Sequence, residues 1–348
     1  MRTDGSDVMS SRGGFYLGNG RMSVDAAPPQ APGEGEVQIE VSFVGVCGTD
    51  LHVIHGTMDY RVTFPQLIGH EMSGVVAEVG DGVEDLAVGQ TVVVRPLISC
   101  NECPACKGGH RHICQRLLFL GIDAPGALQN FWTVPAEIVH VVPEHVPLLT
   151  AALVEPLAVA CHDIRRASLA AGENVVVFGA GPIGLLIALL AQHRGAHVLI
   201  TDVNPTRLEF AQSLDLEAVP ADVLRTRVED LAGEAGVDVV FEVSGAAAAI
   251  AEATGLLRTR GRLVVVGIHA EPHEVDLFRV FWRELHLLGA RVYEPEDFDE
   301  AIILAAEGSL PLDRLVTSVL PLVEVADAFE QLQSGGGAVK VLIAMKEG

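Results

Sequence analysis

Basic residues are scarce in this chain. It carries 23 lysines and arginines against 46 aspartates and glutamates, a formal net charge of −23. Such a surface repels phosphate backbones and anionic lipid, which excludes nucleic acid and membrane surfaces as partners. The charge reads as an ordinary solvated acidic exterior. A secretory signal is also lacking, because the opening stretch "MRTDGSDVMSSRGG" has no apolar core region. Residues 1–14 are expected to be a loose, disordered extension. Nor is there a convincing membrane span. The uncharged run 175–191, "VVVFGAGPIGLLIALLA", holds three glycines and a proline near its middle. It also falls short of the ~20 residues a span requires. A strand, a tight turn and a helix explain it better. The expectation is a soluble, cytoplasmic protein. At 348 residues and 49% hydrophobic content, the chain can fill two sizeable cores.

Cysteine is sparse too, with six in the whole chain. Four of them crowd into residues 99–114, "SCNECPACKGGHRHIC", with the spacing C-x2-C-x2-C-x7-C. In a reducing compartment clustered thiols bind metal more often than they form disulfides. Cys100, Cys103, Cys106 and Cys114 can surround one zinc ion as a tetrahedron, with Gly108 and Gly109 letting the chain swing round to bring the last ligand. Iron–sulfur clusters also take four cysteines, so spacing alone does not decide. A closed four-thiolate zinc site is structural and does no chemistry.

The middle of the chain alternates regularly. "NVVVFGAG" reads as a buried parallel strand, and "PIGLLIALLAQHRG" as a helix with Pro182 at its start and Gly195 past its end. "HVLITD" is a second strand. "NPTRLEFAQSL" opens a second helix, with Asn204 as its cap. "VDVVFEVSG" and "GRLVVVGI" are strand-like and flank the alanine-rich helix "AAAAIAEATGLL". Such alternation predicts a parallel sheet with right-handed crossovers. The first strand–helix junction carries Gly179-x-Gly181-x-x-Gly184, with Pro182 and Ile183 between the last two glycines. Gly179 permits the tight turn, Gly181 lets a pyrophosphate approach the backbone, and Gly184 lets helix and strand pack closely. Asp202 ends the second strand, 18 residues past Gly184. A carboxylate there accepts from ribose hydroxyls and repels a 2′-phosphate, which favours NAD over NADP. Arg207 nearby is either a surface arginine or a residue that softens this preference.

Two stretches of the first half offer metal ligands: "GVCGTDLHVIHG", with Cys47, and "LIGHEMSGVVAEVG", with His70 and Glu71. Glu155 stands in "LVEPLAVACH". Cysteine, histidine and glutamate can bind zinc with an open fourth position, which polarises a carbonyl or stabilises an alkoxide. "GVCGTDLH", "GHEMSGVVAEVG", the four-cysteine lobe, "LVEPLAVACH" and "VVVFGAGPIG" occur in that order. In this the chain resembles, over residues 15–346, the zinc-dependent medium-chain dehydrogenases, among them alcohol, sorbitol, threonine and butanediol dehydrogenases.

The resemblance implies an α/β protein. Residues 15–151 and 294–348 would form a β-rich GroES-like catalytic domain, and residues 152–293 a doubly wound parallel-sheet (Rossmann) domain for NAD, with the active site in the cleft between them. It implies two zinc ions per chain, one catalytic and one structural. Cys47 and His70 would be catalytic ligands, and Asp50 would orient His70. Thr49 would hydrogen-bond the substrate hydroxyl and start a proton relay that His52 carries towards solvent. The third ligand departs from the cysteine of the alcohol dehydrogenases proper, as in the sorbitol and threonine branches: Glu71, Glu155 or both approach the metal. Cys161 reads as a buried helix residue. The implied reaction interconverts a secondary alcohol and a ketone with NAD. The substrate would be small and polar: a polyol, sugar alcohol, diol or β-hydroxy amino acid. Asp59, Tyr60, Arg61, Arg291 and Tyr293 are candidates to contact it. A homodimer or homotetramer is usual for such relatives. Two rival readings are a non-catalytic NAD- and zinc-binding sensor or structural protein, and a zinc-independent quinone or enoyl reductase of the same fold.

Overall fold

Strand Glu36–Gly45 is the hub of the first half of this computed structural model, which describes residues 11–334 and 337–346. Its β-branched Val37, Ile39 and Val41 are fully buried, and Gln38 and Ser42 between and beyond them are buried too, so the strand is covered on both faces. On one edge it pairs antiparallel with Glu71–Val79. On the other it pairs with Phe131–Pro135 over residues 36–40 and with Lys340–Ala344 over residues 43–45. Thr91–Val94 and Val139–Val141 extend one side of this seven-stranded sheet, and Val316–Pro321 the other. A smaller sheet sets Arg12–Tyr16 between Met22–Ala26 and Gln66–Leu67. Arg12, Gly13 and Gly14 are therefore strand, not a loose extension; Gly14 N donates to Leu128 O at 2.7 Å. The glycine pair has no side chains to reveal the alternation in sequence. Residues 1–10, the rest of that expected extension, lie outside the described residues.

The second half is a parallel sheet of six strands. Their spatial order is Glu217–Pro220, His197–Asp202, Asn174–Phe178, Val237–Glu242, Leu257–Val265 and His286–Gly289. Val175, Val176 and Val177 at its centre are fully buried. Pro182–His193 follows the first strand as a helix opened by proline, and Pro205–Ser213 follows the second. The latter is capped by Asn204 Oδ1, which accepts from Thr206 N at 2.9 Å. Strand order reverses between Asn174–Phe178 and Val237–Glu242, and open α/β sheets bind ligands at such a switch point. The run 175–191 is thus strand, turn and helix. Among the described residues no helix is long and apolar enough to cross a membrane.

The chain divides into two compact units. One runs to Glu155 and takes in Ile302–Gly308 and the chain from Leu312 on; the other holds Pro156–Ala301 and Ser309–Pro311. Residues 294–301 therefore group with the sheet-and-helix unit rather than with the catalytic unit. Arg165 explains the difference. It donates to Asp297 Oδ1 at 2.6 Å and also to Glu294, while His162 Nδ1 lies 2.8 Å from Asp297 Oδ2.

Candidate active site and metal centres

The four-cysteine lobe closes on itself. Cys103 precedes the one-turn helix Pro104–Lys107, and Gly109, at φ +88°, turns the chain towards Arg111–Ile113 and Cys114. The sulfurs stand close: Cys100–Cys114 3.4 Å, Cys103–Cys106 3.5 Å, Cys103–Cys114 3.8 Å and Cys100–Cys106 4.0 Å. None forms a disulfide. A tetrahedron with Zn–S of about 2.3 Å has edges of about 3.8 Å, so the donor set fits zinc. Backbone N–H groups point at the sulfurs, Cys103 N at Cys100 Sγ (3.4 Å) and Arg116 N at Cys114 Sγ (3.3 Å). The backbone at Glu102 and Cys103 holds the Cys100 thiol down at about 6, whereas burial pushes Cys106 up to about 12. Thiolates this close repel one another and call for a cation among them.

The second cluster is assembled by one loop and one strand end. Cys47 caps helix Gly48–Ile54, its sulfur accepting from Thr49 N at 3.5 Å. His70 directly precedes strand Glu71–Val79, which Glu71 begins, and both follow Gly69, whose φ of +89° favours glycine. Donor atoms of Cys47, His70 and Glu71 all lie within 4.8 Å of one another. Asp50 Oδ2 accepts from Cys47 N at 2.9 Å, and its Oδ1 lies 3.4 Å from His70 Nδ1. Neither atom of that pair has a hydrogen-bond partner, and a carboxylate so placed is suited to orient an imidazole whose Nε2 could take a metal. The Phe119 ring packs edge-on against His70 at 5.0 Å. Burial lowers the His70 pKa, but Asp50 and Cys47 outweigh it and hold it well above the ordinary value. Surroundings that favour a proton so strongly also favour a divalent cation. Glu155 is buried in the first turn of Val154–Ala167 and lies outside this triad of donors. Cys161, on the same helix, is fully buried.

Thr49 and His52 sit three residues apart on helix Gly48–Ile54, both half-buried, and that spacing puts them on one side of it. The expected substrate contacts fare differently. Asp59 accepts from Tyr16 Oη at 3.1 Å. Arg61 is committed to Asp123 through two hydrogen bonds of 2.9 and 2.7 Å. Tyr60 is exposed, Tyr293 is buried, and Arg291 has partners of its own.

In the nucleotide turn Gly179, at φ +104°, lies against Ser244. Around Gly181 there is open space, as a phosphate requires. A Cβ on Gly184 would overlap the carbonyl oxygen of Gly179. Pro182 is the first helical residue, with Ile183 half-buried after it. The carboxylate of Asp202 closes the turn, accepting from Ala180 N and Asn204 N at 2.8 Å each. Arg207 Nη1 lies 3.6 Å from Asp202 Oδ2, so this arginine leans on the carboxylate rather than into open solvent.

Residues 33–144 match the family model for the alcohol dehydrogenase GroES-like domain, and residues 182–307 that for zinc-binding dehydrogenase. A 2-dehydro-3-deoxy-L-galactonate 5-dehydrogenase of Pseudoalteromonas atlantica is 50% identical over 94% of this chain and 97% of its own. The chain belongs to the zinc-type medium-chain dehydrogenase superfamily. An L-galactonate-5-dehydrogenase of Escherichia coli is 33% identical to this dehydrogenase, over 86% of the present chain and 88% of the relative. Among solved structures, an alcohol dehydrogenase from Escherichia coli complexed with NADH superposes with a TM-score of 0.89 at 27% identity. The match covers 96% of the dehydrogenase described here and 99% of that chain.

Two groups near these sites escape a reading by motif. Glu242 ends strand Val237–Glu242 fully buried, accepts from Ser244 N and Gly245 N at 3.0 Å each, and meets His269 Nε2 at 2.8 Å. It braces the turn that abuts Gly179. A glutamate closing a strand like "VVFE" was its one sequence signal. The other group is Lys340, buried against Glu71. Burial pushes its ammonium pKa down, but Glu71, Cys47 and Glu155 outweigh burial and keep it above the ordinary lysine value. A lysine inside the apolar run "AVKVLIA" was the available sign.

Proposed function

We propose that this dehydrogenase oxidises a secondary hydroxyl of an open-chain polyhydroxy acid, a sugar acid or its deoxy-keto derivative, to the ketone with NAD, and catalyses the reverse. The convergence of Cys47, His70 and Glu71 on one point carries this reading. The half-identical relative, named for a 5-dehydrogenase of a deoxy sugar acid, supports the substrate class. Zinc held by Cys47, His70 and a glutamate supplies a Lewis acid for the substrate oxygen, and NAD supplies the hydride acceptor. The protein's own residues do the rest. Asp50 fixes the imidazole of His70. Thr49 accepts the substrate's hydroxyl proton, and His52, one turn on, passes it towards solvent. Asp202 takes the adenosine ribose hydroxyls. The four-thiolate lobe keeps residues 96–120 in shape.

Absorbance of NADH tests this directly, with deoxy-keto sugar acids, aldonic acids and neutral polyols offered in parallel. The acids should be turned over and Cys47→Ser should be inactive while still binding NADH. Turnover confined to neutral polyols would remove the acid from the proposal, and full activity of Cys47→Ser would remove the zinc.

The same reading includes a homo-oligomer in the cytoplasm. Leu277, Phe278, Phe281 and Trp282 project exposed from helix Leu277–Trp282, and His286–Gly289 is an exposed edge strand. An apolar patch beside an open edge invites a second copy. Light scattering should give a multiple of 36.8 kDa, and Phe281→Asp should lower it. Six free thiols, four of them gathered as a metal lobe, suit a reducing compartment.

A further inference from the structure

Arg61 is the only lysine or arginine between Arg21 and Arg95, a stretch that holds eleven aspartates and glutamates. Two sets of contacts tie this lone cation to the neighbourhood of the Cys47 cluster. Its turn hangs from the helix that carries Thr49 and His52. His52 O accepts from Thr57 N at 3.1 Å and from Thr57 Oγ1 at 2.8 Å, and Arg61 N donates to Met58 O at 2.8 Å. Tyr16 Oη, donating to Asp59, pins the bend between them. On the other side the guanidinium reaches Asp123, with Nε and Nη2 donating to the two carboxylate oxygens. Asp123 Oδ2 also accepts from Phe119 N at 2.8 Å, and the ring of Phe119 is the one packed against His70.

A guanidinium carries two forked edges that match a carboxylate. Asp123 takes the edge made by Nε and Nη2. The edge made by Nη1 and Nη2 meets no acceptor among the described residues, and the side chain is 21% exposed. Lys340, the other cation beside the cluster, is buried on Glu71 and has no such edge to offer.

We propose that Arg61 sets the enzyme's preference for acids: held by Asp123, it presents its free edge to the carboxylate of the open-chain substrate. The proposal rests on the sugar-acid reading of the function. Asp123 offsets part of the attraction, but it fixes the long side chain beforehand, so little rotamer freedom is lost when substrate binds.

The test compares an aldonic acid with its aldonamide, which keeps every hydroxyl and removes only the charge. NADH absorbance gives kcat and KM for each. The parent should prefer the acid about tenfold or more in kcat/KM, the worth of a hydrogen bond to a charged group. In Arg61→Met that ratio should approach one, chiefly through a higher KM for the acid. Arg61→Lys keeps the charge and still reaches Asp123, but it lacks a second edge, so it should lose most of the preference. If acid and amide fall together in Arg61→Met, the preference survives. Arg61 would then only staple its loop to Asp123, and the proposal would be overturned while the sugar-acid reading stands. A parent that uses acid and amide equally would overturn the sugar-acid reading and the anchor with it. If Arg61→Met fails to fold, Arg61→Lys decides, and an undiminished preference there would overturn the proposal.

Discussion

The carboxylate of Asp50 stands 3.4 Å from Nδ1 of His70, with both side chains buried. The same carboxylate caps the helix that begins after Cys47. One residue therefore stands against both candidate donors, and its loss should be felt at the metal first. Asp50→Ala should lower affinity for the labile zinc by about 10–100-fold, the usual cost of removing such a partner. Competition with a chromophoric chelator measures it, and the zinc of the four-thiol lobe serves as internal reference. Equal affinity in parent and variant would contradict the assignment.

Cys106→Ser should empty the lobe alone. Zinc per chain should fall from two to one by elemental analysis, and limited proteolysis should begin to cut within residues 100–116. NADH binding should be unchanged. A variant that keeps both zincs would show that three thiolates suffice.

Gly181 and Gly184 should respond differently to alanine. A Cβ on Gly181 would meet nothing within 4 Å beyond its own chain neighbours, so Gly181→Ala should melt with the parent yet bind NADH about tenfold or more weakly, a loss of about 1.4 kcal/mol. In Gly184→Ala the new methyl overlaps Gly179 O. Overpacking of that kind costs about 1–3 kcal/mol, and the melting temperature should drop. The same thermal shift in both variants would refute the distinction.

Asp163 lies fully buried on helix Val154–Ala167, and neither of its carboxylate oxygens has a hydrogen-bond partner. Burial, and then nearby Asp297, raise its pKa well above the ordinary value. The unfolded chain gives up this proton near pH 4, at about 3.9, while the folded chain retains it. Folding then takes up a proton, so this group's contribution is full below pH 4 and declines as pH rises towards the raised pKa. Asp163→Leu should melt higher than the parent near neutrality, with the gap widening from pH 4 to pH 7. Thermal scans across that range measure it; a gap of constant size would count against the buried acid.

Much of the site was legible because its signals are local. The glycine turn, the proline that opens its helix and the four-thiol spacing each span fewer than twenty residues, and chemistry dictates their order. The edge strands Glu217–Pro220 and His286–Gly289 were not legible. Each has four residues at an end of the sheet; Glu217–Pro220 buries only Ala218 and Val219, and His286–Gly289 buries none, so periodicity has little to act on. The partners of Asp59 and Arg61 were not legible for another reason. Those partners, Tyr16 and Asp123, lie 43 and 62 residues away, and no local pattern shows where such a pair will form.

The sequence by itself determined the alternating elements of the nucleotide unit, the four-cysteine spacing and which side chains, Cys47, His70, Glu71 and Glu155, are candidate donors. These follow from spacing and side-chain chemistry along short stretches. Only the tertiary structure decided which carboxylate is already engaged. That depends on the register of three strands drawn from distant parts of the chain, which brings Lys340 over Gly45 to Glu71. Register is a property of the folded sheet, set by packing across it, and it has no counterpart in any short run of residues.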